Sequence, residues 1–172
     1  MKKLLLSFVM AAGLMSAKAQ SDYNSAIGLR IGGYYDLVSA SYKTHVTKPG
    51  ALEFNLGFRG YRGGGIDWVT AAFSAAYQHH FEIKPVPGLR WYVGGGLTAY
   101  NSFSDYEELR GFGLGIFPTG GIDYKFEKIP LNLSADVRPT FGIVDPFDND
   151  IYRGYRSFRG DNFGISARYT FR

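Results

Sequence analysis

Apolar and polar positions alternate in eight separate stretches of this chain: 26–34, 37–46, 51–59, 67–82, 89–100, 111–126, 131–142 and 162–172. In the third, Leu52, Phe54, Leu56 and Phe58 fall on one side and Glu53, Asn55, Gly57 and Arg59 on the other. The seventh sets Leu131, Leu133, Ala135 and Val137 against Asn132, Ser134, Asp136 and Arg138. In the last, Phe163, Ile165, Ala167, Tyr169 and Phe171 oppose Gly164, Ser166, Arg168 and Thr170. A period of two belongs to the β-strand, whose successive side chains leave opposite faces. The i, i+3, i+4 spacing of an amphipathic helix is hard to find. The pattern predicts an all-β fold of eight antiparallel strands.

The connections alternate too. Those after strands two, four and six are short and carry proline, at Pro49, Pro85 with Pro87, and Pro130; those after strands three, five and seven are longer and polar. An up-and-down barrel in a membrane has this asymmetry, with short turns on one side and longer loops on the other. The short link from Tyr34 to Asp36 is the exception. Centring the fourth turn on Val86 predicts Glu82 opposite Arg90 and Ser74 opposite Thr98 on the polar face. On the apolar face it predicts Phe81 opposite Trp91 and Tyr77 opposite Gly95, so charges meet opposite charges and an aromatic ring covers a glycine. Centring the sixth turn between Lys128 and Ile129 brings Pro118 opposite Pro139. Neither can donate a ladder hydrogen bond, which predicts a bulge or break there.

Two arrangements fit alternating strands: a soluble barrel with the apolar face inward, or a transmembrane barrel with that face outward. The 23 glycines favour the second. Glycine weakens an exposed strand, but inside a narrow eight-stranded barrel it makes room for long side chains. Aromatic residues also fall into two bands. Tyr77, Phe81, Trp91, Tyr124, Phe126, Tyr169 and Phe171 lie toward the proline turns, and Tyr34, Phe58, Trp68, Phe112, Phe141 and Phe163 toward the other end. Girdles at both edges of an aliphatic band suit a bilayer with two interfaces.

The N-terminus carries an export pattern. Lys2 and Lys3 precede an apolar run from Leu4 to Met15, and Ala17-Lys18-Ala19 has the small-x-small form of a cleavage site. Residues 1–19 are therefore expected to be a signal peptide and residues 20–172 the barrel domain. Three of the four net positive charges belong to Lys2, Lys3 and Lys18, so the remainder is nearly neutral and a nucleic-acid partner loses its electrostatic support. Without cysteine there is neither a disulfide framework nor a thiolate metal site.

The leader, the eight alternating segments and the final strand together resemble the small eight-stranded outer-membrane barrels of the OmpA and OmpX type. Tyr169-x-Phe171 is similar to the terminal aromatic segment by which the outer-membrane assembly machinery reads such proteins, although Arg172 follows the aromatic on which they usually stop. The resemblance covers essentially the whole chain after the leader and is one of architecture. It implies a monomer in the outer membrane of a Gram-negative envelope, in contact with lipid and lipopolysaccharide and delivered by periplasmic chaperones. It implies neither catalysis nor a cofactor; a lipid A deacylase of this architecture would need an outward His-x-Ser pair, and His79 is followed at that spacing by Phe81.

The candidate site is the inward polar face: Arg30, Lys43, His45, Glu53, Arg59, His80, Glu82, Arg90, Asp123, Lys125, Asp136, Arg138 and Arg168. Charges in a low dielectric need partners. Glu82 with Arg90, Lys43 or His45 with Glu53, and Asp123 or Asp136 with Arg138 or Arg168 are the expected pairs. Such a set plugs the lumen; a porin-like narrow ion path is the alternative function, and a soluble periplasmic ligand-binding barrel the alternative fold. His79 and His80 point to opposite faces and cannot share a ligand, so no metal site is expected. In the last long connection, Tyr152, Arg153, Tyr155, Arg156, Phe158 and Arg159 interleave rings with guanidinium forks suited to phosphate groups such as those of lipopolysaccharide. The preceding Asp145, Asp148 and Asp150 lack the spacing of an EF-hand.

Overall fold

A computed structural model describes residues 23–33, 35–63, 66–105, 110–144 and 158–171. Its strands are β1 (Ser25–Gly32), β2 (Val38–His45), β3 (Gly50–Gly63), β4 (Ile66–Glu82), β5 (Leu89–Ser104), β6 (Gly111–Lys125), β7 (Leu131–Val137), β8 (Thr140–Val144), β9 (Phe158–Arg159) and β10 (Phe163–Phe171). Each strand from β1 to β6 pairs antiparallel with the next, β6 pairs with both β7 and β8, and β10 joins β7 to β1. Since β7 and β8 form one interrupted stave, the result is a closed eight-stranded antiparallel barrel. Closure leaves no stave without a partner on either side, which removes the exposed edge that would recruit other chains.

The barrel is polar inside and apolar outside. Arg30, Lys43, Glu53, Arg138 and Arg168 are fully buried, whereas Leu29 and Ile165 are 59% and 67% exposed. The exposed face of β1 and β10 consists of Ile27, Leu29, Ile31, Phe163, Ile165, Ala167, Tyr169 and Phe171, and the same face continues around β4, β5 and β6. Water-soluble monomers do not carry an uninterrupted apolar belt of this extent. Hydrocarbon removes the cost, and a closed barrel satisfies every ladder group that lipid cannot.

The register agrees with the turn arithmetic. Across β4 and β5, Glu82 faces Arg90, Phe81 faces Trp91, Tyr77 faces Gly95 and Ser74 faces Thr98. The Phe81 and Trp91 rings stack with centroids 4.3 Å apart. The turn between these strands ends at Gly88 with φ of 79°, a left-handed backbone that a side chain would strain. The interruption expected at Pro118 and Pro139 is present. β7 stops at Val137 and β8 starts at Thr140, while Gly120↔Val137 and Ile116↔Phe141 on either side keep one register. On the other side the ladder to β10 continues, the Arg138 amide donating to the Asn162 carbonyl at 2.8 Å in the register of Val137 with Phe163.

Three expectations change. β3 and β4 run on to pair Gly63 with Ile66, so the polar segment after the third stretch is mostly a projecting ribbon, braced by an exposed Arg62–Asp67 pair at 3.1 Å. Trp68, expected in the outer aromatic band, shares the parity of the lumen-facing Thr70 and Ala72 and does not join that girdle. The eighth stretch begins at Phe163, with Phe158–Arg159 a separate short strand on β8. Tyr34 lies outside the described residues.

Leu29 sits midway along β1 opposite Ala167, between the two ends of the barrel. Replacing it with arginine is expected to cost about 2–4 kcal/mol, the penalty of a cation at mid-bilayer on a lipid-facing strand. Urea unfolding in lipid vesicles measures this.

Candidate functional site

Inside the barrel, strand alternation aims every second side chain of every stave at one narrow space. Glu53 of β3 is its centre. Arg168 Nη2 of β10 reaches it at 3.0 Å, Lys43 Nζ of β2 at 3.6 Å, and Arg138 Nη2 at 2.5 Å. Gln78 and Asn55 donate to the same carboxylate at 2.8 and 3.1 Å. From Arg138 the network passes to Asp136 at 2.9 Å, then to Arg30 at 2.7 Å, and ends on Asp36 at 2.8 Å. On the other side Lys43 reaches Asp123 of β6 at 2.9 Å, and Asn132 of β7 donates to that carboxylate at 2.9 Å. Four cations, Arg30, Lys43, Arg138 and Arg168, thus meet four carboxylates, Asp36, Glu53, Asp123 and Asp136. The cluster is electrically neutral and joins staves from all around the barrel. β5 enters through Tyr92, whose ring lies 4.9 Å from Lys43 Nζ.

Glycine makes the space. A Cβ on Gly164 would run into the Arg30 guanidinium, one on Gly113 into the Tyr100 ring, and one on Gly121 into the Tyr92 hydroxyl. Serines complete the packing: Arg168 donates to Ser41 at 2.9 Å, Ser134 at 2.8 Å and Ser166 at 2.9 Å. This burial is tolerable because almost every charged group finds an opposite charge and further hydrogen bonds.

The thirteen charged or imidazole positions of the inward face divide in space. Arg30, Lys43, Glu53, Asp123, Asp136, Arg138 and Arg168 form the central cluster. Asp123 takes Lys43 rather than Arg138 or Arg168, and Arg168 takes Glu53 rather than an aspartate. Lys125 points inward but donates to the carbonyls of Phe126 and Ile129, tying the turn after β6. Arg59 stands at the far rim and donates to the Gly33 carbonyl at 3.2 Å. His45, His80, Glu82 and Arg90 gather at the proline-turn mouth. There the rings of Tyr23, His45, His80 and Tyr92 follow one another at centroid distances of 4.8, 5.3 and 5.1 Å. His79 faces outward, its ring 4.9 Å from that of Phe81.

Asp36 is the charged member that the strand pattern missed. It lies in the link between β1 and β2, where strand parity does not apply, and Arg30 six residues earlier was the only cue. The neutral partners Gln78, Asn55, Asn132 and Tyr92 had the right parity but no charge to single them out.

At the other end, Phe158 and Arg159 form β9, and the Phe158 ring lies 4.8 Å from that of Phe141. Tyr152, Arg153, Tyr155 and Arg156, with Asp145, Asp148 and Asp150, lie outside the described residues. Tyr169 and Phe171 project outward from β10, opposite Ile27 and Ser25.

No family model and no curated protein sequence matches this chain. Among solved structures it resembles Neisserial surface protein A (NspA), with a TM-score of 0.50 at 14% identity over 86% of this chain and 94% of that one. It also aligns with CarO of Acinetobacter baumannii at a TM-score of 0.45 and 10% identity, over 90% of this chain and 100% of that one. At such identities the likeness to NspA is one of fold.

Replacing Glu53 with glutamine would leave three cations around a neutral amide. The expected loss is about 3–5 kcal/mol, the usual cost of removing one partner from a buried charge pair. Asp67→Asn in the exposed ribbon should change stability by less than about 1 kcal/mol. Urea unfolding of the two variants side by side tests the contrast.

Proposed function

We propose that this chain is a small outer-membrane barrel, exported through a leader ending at Ala19, whose interior is a structural plug and whose working surface is its outer loops. The observation that carries the reading is the neutral cluster around Glu53. An eight-stranded barrel is only wide enough for its own side chains, and here paired charges occupy the middle of that width. A permeating ion would have to displace partners held at salt-bridge distance from several staves. The role is then structural support of the envelope or binding at the surface, without catalysis.

The proline-turn end would face the periplasm and the longer connections the exterior, following the asymmetry of such barrels. On that orientation Tyr152, Arg153, Tyr155, Arg156, Phe158 and Arg159 belong to the external side. Their guanidinium groups suit the phosphates of lipopolysaccharide, and Tyr169 and Phe171 suit recognition by the assembly machinery.

In a planar bilayer the full chain is expected to produce no stepwise ion current; steady unitary steps would overturn the plug. Replacing Arg153, Arg156 and Arg159 together with serine should keep the fast-running unheated band of a folded barrel on a gel. The same variant should weaken lipopolysaccharide binding by roughly tenfold or more. Unchanged binding would remove the loop from the interaction.

A further inference from the structure

The link between β1 and β2 folds into the mouth opposite the proline turns. Its base is closed by the Gly32 amide, which donates to the Leu37 carbonyl at 3.0 Å. The Tyr35 ring stacks on that of Tyr100 in β5, with centroids 4.0 Å apart and planes inclined by 27°. Tyr100 and Ala72 of β4 form a buried apolar pair, and Tyr35 packs against it. The neighbouring Asp36 carboxylate reaches Arg30 at 2.8 Å, in space that Gly32 and Gly57 keep clear. An aromatic stopper and a charged latch thus occupy consecutive residues.

This link can open without dismantling the plug. Arg30 is held twice by Asp136, through Nη2 at 2.7 Å and Nε at 3.4 Å, and keeps that carboxylate when Asp36 leaves. Breaking a buried pair is prohibitive when it strands a charge, and here neither member is stranded. The Asp36 side chain is already 11% exposed and moves toward water. A ring stack shifts an equilibrium by about two- to tenfold beyond the area it buries, which is enough to close a short link and too little to lock it.

We propose that residues 35–37 are a strap that seals this mouth, with Tyr35 as its stopper and Asp36 as its latch on the plug. With Asp36 withdrawn, the cluster has four cations against three carboxylates. Release therefore turns a closed, neutral mouth into an open, positively charged one in which Arg30 and the Tyr100 ring face solvent.

The protein has no cysteine, so a single introduced thiol reports on one place. Ala72→Cys puts it beneath the strap, Ala76→Cys deeper on the same inward face of β4, and Asp67→Cys on the exposed ribbon. The rates are read with a charged, water-soluble maleimide on the folded full chain in detergent micelles. Ala72→Cys should react at least about a hundredfold more slowly than Asp67→Cys, because modification waits for local opening. Adding Tyr35→Ala, or separately Asp36→Ala, should speed it about tenfold or more. Ala76→Cys should keep its rate, and the unheated gel band should still run fast. An unchanged Ala72→Cys rate in both strap variants would overturn the proposal, as would an Ala72→Cys that reacts as fast as Asp67→Cys. So would an Ala76→Cys that accelerates equally, or loss of the fast band in both variants, since the link would then be part of the fold rather than a strap.

Discussion

The pairing of charge inside the barrel is the constraint on which the remaining structure depends. A carboxylate removed from water without partners is unstable by far more than a folded protein's whole margin. Glu53 meets three cations and two amides; the cations and Gln78 reach it from four other staves, and Asn55 from its own. A slip of one residue in any stave would turn its charged side chains toward lipid and its aliphatic ones inward. Electrostatics therefore fixes the register from inside while the bilayer fixes it from outside. The two demands have the same period, and so one alternating sequence satisfies both.

The same constraint accounts for features that look unrelated. Guanidinium groups are wide, and eight staves leave little room, so glycine faces them at Gly32 and Gly164. Arg138 lies in the gap between β7 and β8, beside Pro139. The ladder to β6 is interrupted there, but the one to β10 continues through the Arg138 amide and the Asn162 carbonyl, and the Arg138 carbonyl accepts from the Thr140 hydroxyl at 2.8 Å. The break therefore does not open the wall at a residue essential to the network. At the proline-turn mouth the rings of Tyr23, His45 and His80 follow one another beside a cavity of about 290 Å³.

How much of this could be read from the sequence depended on whether a feature is local. The faces of the strands, the β4–β5 register and the proline break each follow from parity and a turn centre, and all three are present in the fold. Pairing across the lumen is not local. Whether Asp123 meets Lys43 or Arg168 depends on the stagger between staves that are not neighbours, and alternation along one strand carries no such information. Asp36 was missed because a turn has no parity. Trp68 was misplaced because an aromatic residue near a rim looks like a girdle member until its face is counted along β4. The ribbon beyond Arg59 was read as a loop because its polar residues no longer meet two environments, and the alternation fades where strand pairing does not.

The central claim is that the apolar face meets lipid and the charged face meets itself. A single tryptophan at Leu29, with Trp68 and Trp91 changed to phenylalanine, tests it most directly after reconstitution in vesicles whose lipids carry bromine near the middle of their acyl chains. The account predicts blue-shifted emission that the bromolipid strongly quenches and that aqueous iodide leaves untouched. Emission quenched by neither would place Leu29 in a protein core, and quenching by iodide alone would place it in water. Either result would contradict the fold's assignment of inside and outside.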